Sequence, residues 1–265
     1  MTPVLLIGAG RMGQALLSGW RRSQAFPLSE LMIRAPRPNE ACRGAQILGA
    51  AINPPDSDLA AARTVVLCVK PQKWREVAPA YAGALSPDAV IVSVLVGVRA
   101  GDIAEGFGGR RVARALPTTA VASATGVTSL YAQDPEAAQA AVALFDPIST
   151  VVPIDDEPLM DAAAAVSASG AAYVYAFARA LEEAGLAADL PPEAARDLAR
   201  ATVASAAGWM ADSGEDPAAL IAQVASPGGT TEAALRVLDD RESGLKPLLK
   251  DAVLAAVRRA RELAK

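Results

Sequence analysis

Three glycines near the start of the chain, Gly8, Gly10 and Gly13 in GAGRMG, constrain the fold more than any other feature. They follow an apolar run over residues 4–7 and precede a helical pattern opening near Met12. In a strand, turn, helix context each glycine has its own task. The first permits a tight turn, the second lets the backbone approach a pyrophosphate, and the third lets helix pack against strand. A diphosphate would then rest on the amides and positive dipole end of the helix. Gly8, Gly10 and Gly13, with Arg11 and Met12 between them, are the expected dinucleotide contacts. The competing reading is a tight turn of structural meaning alone.

Further apolar runs over 31–34, 64–69, 89–94, 111–115, 126–131 and 149–154 alternate with helical stretches. That rhythm predicts βαβ units and a mostly parallel sheet. From Pro158 onward the texture changes to Ala-rich helical pattern, broken at 185–192, 212–217 and 226–229. The expected architecture is an α/β Rossmann-type dinucleotide-binding domain over residues 1–155, then an all-α domain over 156–265. Helices this rich in alanine carry little bulk to bury alone, so packing against a second subunit is expected; a self-contained small bundle is the alternative.

A site for NAD would place an acid at the end of the second strand to hold the ribose hydroxyls. Here the strand ends in Arg34, Ala35, Pro36, Arg37, and no acid appears before Glu40. Guanidinium groups at that place suit a 2′-phosphate, so NADPH is expected in preference to NADH. Two solvated surface arginines would read the same way. Val69, Lys70 and Pro71 follow the strand starting at Thr64 and should face the crevice at the carboxyl ends of the strands, unless Lys70 is an ordinary loop charge.

A formal charge of -4 argues against a partner that is nucleic acid. No apolar stretch nears the roughly 20 residues of a membrane span, and the first residues lack a basic leader, so a cytoplasmic location is expected. Cys42 and Cys68 have no CxxC spacing and read as reduced thiols. The chain contains 0 histidines, which removes the commonest general acid and the commonest metal ligand, and no metal is expected. Its chemistry must come from a cofactor, hydroxyls, lysine, carboxylates and backbone.

In the second half, Ser226, Pro227, Gly228, Gly229, Thr230, Thr231 and Glu232 lead into a helix that runs to about Asp239. Two glycines expose backbone, and a hydroxyl pair followed by Glu makes a helix start. Amides gathered there form a natural carboxylate receptor, although a simple turn and cap would use the same residues.

Five segments together, GAGRMG, VKPQ at 69–72, RALPTTA at 114–120, AVSASGAAY at 165–173 and VASPGGTTEAALRVLDD at 224–240, resemble the pyrroline-5-carboxylate reductase family over essentially the whole chain. The resemblance implies a Rossmann domain, a helical domain interlocking in a homodimer or a higher homo-oligomer of dimers, and reduction of 1-pyrroline-5-carboxylate, a small imino acid, to proline by NAD(P)H. It further implies that Gly228, Gly229 and Thr230 hold the substrate carboxylate, with Ser169 nearby. Thr231 would bond near the ring nitrogen, and Thr231 and Ser226 are the catalytic candidates. Thr118 stands in the expected nicotinamide pocket.

Two stretches depart from the family pattern. Thr118, Thr119 and Ala120 stand where Asn, Thr and Pro are usual, and Ala168 and Ala171 replace a Gly and a Pro. These changes bear on the identity of the imine more than on the type of reaction. The alternatives are a relative reducing another cyclic imine or imino acid, and a non-catalytic NADP-binding sensor.

Overall fold

A computed structural model describes residues 1–263, and its contacts divide the chain into two compact units. The first is Met1–Ala168 with the stretch from Ala256; the second is Ser169–Ala255.

The first unit is an eight-stranded sheet in the order β3-β2-β1-β4-β5-β6-β7-β8. Its strands are β1 (Val4–Ile7), β2 (Leu31–Arg34), β3 (Ala51–Ile52), β4 (Thr64–Leu67), β5 (Val90–Ser93), β6 (Val112–Pro117), β7 (Gly126–Ala132) and β8 (Ser149–Pro153). Every pairing is parallel except β6 with β7. Seven strands match the apolar runs. The eighth, β3, is two residues long, too short to show a period, and pairs Met32 with Ala51 and Ile33 with Ile52.

All four residues of β1, β4 and β5 are buried, as strands covered on both faces require. Alternation sends Val4 and Leu6 into a cluster with Leu16, Trp20 and Phe145, and Leu5 and Ile7 into one with Trp74, Ile103 and Phe107. The first cluster lies under α1 (Arg11–Ser23) and α5 (Pro135–Phe145), where the Trp20 indole N–H donates to the Leu144 carbonyl at 2.9 Å. The second lies under α3 (Trp74–Ala82) and α4 (Ala100–Gly106). This unit runs through α6 (Met160–Ser167), beyond the change of sequence texture, because Met160 and Ala164 pack on Leu116 and Tyr131 of the sheet.

The second unit holds α7 (Gly170–Ala187), α8 (Pro192–Ser213), α9 (Pro217–Val224), α10 (Thr230–Leu238) and part of α11 (Leu245–Leu263). Its breaks fall at the sequence punctuation, and one more, Asp239 to Gly244, is closed by Asp240 accepting from the amides of Glu242 and Ser243. Within α7, α9 and α10 no residue is buried, while Tyr175, Trp209, Val224 and Val237 stand 70 %, 58 %, 66 % and 73 % exposed. A helical unit with so little core is not self-sufficient. Among the described residues no helix is long and apolar enough to cross a membrane.

Candidate active site

The strand order reverses between β1 and β4, and the glycine turn leaves the carboxyl end of β1 at that point. Such a switch point is where open parallel sheets form a ligand crevice. Gly8 has φ +98, and a Cβ built on it would meet the Cys68 carbonyl oxygen at 2.3 Å, so the turn admits no side chain. Its amide donates to the Arg34 carbonyl at 2.9 Å, tying the turn to the end of β2. A Cβ on Gly13 would lie 2.5 Å from the Gly8 carbonyl oxygen, which fixes how closely α1 packs on the turn.

Gly10 differs. It is the N-cap of α1 with φ -69, and a Cβ on it would touch nothing within 4 Å. No side chain caps the helix, so its first-turn amides face that open space. A glycine with neither strain nor crowding to explain it, under uncapped amides, leaves the backbone approach needed by a diphosphate. The residues fit the group.

The other expected cofactor residues lie along the same edge. Arg34 ends β2, Val69 and Lys70 follow β4, Pro71 opens a short 3-10 turn, and Thr118 follows β6. Val69 borders Gly8, its Cγ1 lying 3.1 Å from the position of a Gly8 Cβ. Lys70, Arg37 and Arg11 are exposed and make no ion pair among the described residues. Arg34 is not a free cation: Asp56 accepts from its Nη2, and the guanidinium carbon stands 5.8 Å from the centre of the Tyr81 ring. Thr118 is 7 % exposed, and its hydroxyl accepts from the Val127 amide at 3.1 Å within the β6–β7 hairpin. The oxygen is engaged where an Asn would offer a second polar atom.

Sequence reasoning passed over four residues here. Asn39 caps α2 (Glu40–Ile47) and donates to the Ala9 carbonyl at 2.6 Å, bracing the glycine turn. Its signal, an Asn three residues before Cys42 at a helix start, was readable as a cap and not as a brace. Asp56 lies 22 residues from Arg34 and left no local signal. Arg114, in the RALPTTA segment, is 3 % exposed and pairs with Glu157 at 3.1 Å; Glu157 also accepts from the Ala100 amide at 2.6 Å, joining β6 to the start of α4.

In the second unit the SPGGTT turn joins α9 to α10. Gly228 has φ +72, and Gly229 is the N-cap of α10, without a side-chain cap bond. The Thr230 and Thr231 hydroxyls therefore do not close the helix start in the way the capping reading expects. The cap comes from the third helical position: the Glu232 carboxylate accepts from the Gly228 amide at 2.6 Å and pairs with Arg236 at 3.0 Å. The Gly228 amide, then Arg236, hold its carboxyl below the ordinary glutamate range. The Gly229 amide donates to the Ser226 carbonyl at 3.0 Å. What remains open to an anion is the first turn of α10, the amides of Thr230, Thr231 and Glu232, with Thr231 half-buried and Thr230 and Ser226 exposed. Ser169 precedes α7 and is half-buried, with no side-chain cap bond.

A Rossmann-type sheet with a fitted dinucleotide turn, followed along the chain by a helical unit with few buried residues, is the architecture of a dinucleotide-dependent oxidoreductase. Residues 3–97 match a family described as NADP oxidoreductase coenzyme F420-dependent, and residues 157–263 match one described as pyrroline-5-carboxylate reductase dimerisation. The pyrroline-5-carboxylate reductase of Pisum sativum is 36 % identical over 260 residues, covering 97 % of this chain and 94 % of its own length. That of Pseudomonas aeruginosa is 37 % identical over 269 residues, covering 98 % and 96 %. The solved pyrroline-5-carboxylate reductase of Coxiella burnetii superposes with a TM-score of 0.90 at 29 % identity, covering 100 % of this chain and 99 % of its own. The chain belongs to the pyrroline-5-carboxylate reductase family.

Proposed function

We propose that the chain reduces 1-pyrroline-5-carboxylate to L-proline with a reduced nicotinamide dinucleotide, using NADPH in preference to NADH. The observation that carries this reading is the 36 % identity to the Pisum sativum enzyme across 97 % of the chain. The bound cofactor would supply the hydride. Gly8, Gly10, Arg11, Met12 and Gly13 hold its diphosphate on the α1 amides, Arg34 and Arg37 meet the 2′-phosphate, and Val69, Lys70, Pro71 and Thr118 line its remaining course. Arg34 and Arg37, with no acid in the stretch from Arg34 to Asn39, support the phosphate reading.

For the substrate, the first-turn amides of α10 receive the carboxylate, aided by the helix dipole. The reading assigns Gly228, Gly229 and Thr230 to shaping and lining that receptor, with Ser169 beside it. Thr231 orients the ring nitrogen through its hydroxyl, and Ser226 braces the turn through its carbonyl. A hydroxyl whose pKa lies far above neutrality is a poor proton reservoir, so Thr231 positions an imine that arrives protonated or takes its proton from water. The working unit is a homodimer or a higher homo-oligomer of dimers, built on the helices after Pro158.

Thr118 favours a second reading, a relative acting on a different cyclic imine, because its engaged hydroxyl alters the pocket that an Asn would furnish. Oxidation of NADPH measured at 340 nm with pyrroline-5-carboxylate beside a panel of cyclic imines separates the two. The first reading expects the highest kcat/KM for pyrroline-5-carboxylate. A larger value for another imine establishes the second, and no oxidation with any member leaves only a cofactor-binding protein.

A further inference from the structure

The pair at the end of β2 carries an inference that rests on the NADPH reading and deepens it. Arg34 is the last residue of β2, and its guanidinium is held by Asp56 on one side and faced by the Tyr81 ring on the other. The pairing is built. The Asn53 amide donates to the Ile33 carbonyl at 2.8 Å, and its side chain bonds both the N–H and the carbonyl of Ala35, at 2.9 and 3.0 Å. Pro54 and Pro55 then stiffen the path to Asp56. The Asp56 side chain itself is 74 % exposed while that of Arg34 is 18 % exposed, so the acid is the outer member of the pair.

We infer that Asp56 is a specificity-determining residue that occupies Arg34 as an internal stand-in for the 2′-phosphate and so narrows the preference for NADPH over NADH. Asp56 takes one edge of the guanidinium, through Nη2, so a phosphate reaching Arg34 must share the cation with the carboxylate and tolerate it as a like charge nearby. A ribose bearing only hydroxyls demands neither; it meets an intact ion pair whose carboxylate accepts a hydrogen bond, the part an acid plays in NAD sites. Asp56 therefore opposes one cofactor and accommodates the other. Removing its charge should sharpen the discrimination that Arg34 and Arg37 create.

The test is the dissociation constant of NADPH, of NADH and of adenosine 2′,5′-bisphosphate, each by calorimetry, for the parent protein and for Asp56→Asn, Asp56→Glu and Arg34→Ala. Asp56→Asn should tighten NADPH and the bisphosphate by roughly three- to tenfold, the scale of one like-charge neighbour at a part-exposed site. NADH should be unchanged or weaker, Asp56→Glu should resemble the parent, and the gain should shrink as salt rises. A folded Asp56→Asn protein whose NADPH to NADH ratio matches the parent overturns the inference. If Arg34→Ala still erases the ratio in that case, the phosphate reading survives and Asp56 is a surface partner only. If neither variant moves the ratio, the reading of Arg34 as the phosphate ligand falls as well.

Discussion

Gly10→Ala separates the dinucleotide reading of the glycine turn from a purely structural one. The backbone at Gly10, φ -69 and ψ -163, is extended and open to any residue, and the new methyl would meet nothing within 4 Å. Two small effects on stability oppose each other: alanine is a poorer N-cap than glycine, by about 0.5 to 1 kcal/mol, and it restricts the unfolded chain by about 0.4 to 1 kcal/mol. The net change should stay within about 0.5 kcal/mol, or about 2 °C in Tm for a domain of this size. Gly8→Ala and Gly13→Ala should behave otherwise, because their methyls would fall 2.3 and 2.5 Å from carbonyl oxygens. Overpacking of that kind costs roughly 1 to 3 kcal/mol, with backbone strain added at Gly8. If a diphosphate approaches over Gly10, the methyl takes its place and the NADPH dissociation constant should rise at least about tenfold, or about 1.4 kcal/mol. Fluorescence titration and calorimetric melting measure the two quantities on one sample. Parent-like NADPH affinity in a Gly10→Ala protein of unchanged Tm would refute the placement of the diphosphate.

Thr231→Val keeps the shape and removes the hydroxyl; one lost neutral hydrogen bond costs about 0.5 to 1.5 kcal/mol, a several-fold to tenfold fall in kcat/KM, against about 10² to 10⁴ for a true general acid. An unchanged kcat/KM in a folded protein would misplace the substrate site. Substituting both Arg34 and Arg37 with Ala should abolish most of the NADPH to NADH ratio, and an intact ratio would show that another group reads the phosphate. Sedimentation should give a dimer at micromolar concentration, and a stable active monomer there defeats the reading of the helical unit. Burial pushes the Cys68 thiol up to about 12 from 9.0, so its contribution to stability is fully present below about pH 9 and is lost as pH rises toward 12. Iodoacetamide at pH 8 should leave it unlabelled in the native protein; rapid native labelling would contradict its burial beneath the glycine turn.

How much could be read beforehand followed the range of the forces involved. Strands such as Val4–Ile7 and Val90–Ser93 declare themselves because a doubly covered strand must be apolar at every position. The helical breaks at Gly214 and Pro217 are equally local, one left-handed residue and one ring that cannot donate. Pairings between distant segments leave no such trace. Asp56 reaches Arg34 only because β3 runs beside β2, and Glu157 reaches Arg114 only once the chain has crossed the sheet. The SPGGTT turn lies between these cases. Its helix start was legible, yet which group caps it was decided by competition: the Glu232 carboxylate, already charged, is a stronger acceptor for the Gly228 amide than either threonine hydroxyl.

That competition leaves the first-turn amides of α10 as the donors an anionic substrate would find, and their firmness depends on α9 and α10. Neither helix buries a residue within its own chain. The glycine turn rests instead on β1 and β4, whose residues are buried by elements of the same unit. A covering surface for α9 and α10 has to come from outside the single chain's helical core, and a family that dimerises through this region supplies one in a second copy. If the α10 amides receive the substrate, assembly is a condition of its binding in a way that it is not of cofactor binding, and the two affinities should part company when the protein is diluted toward monomer.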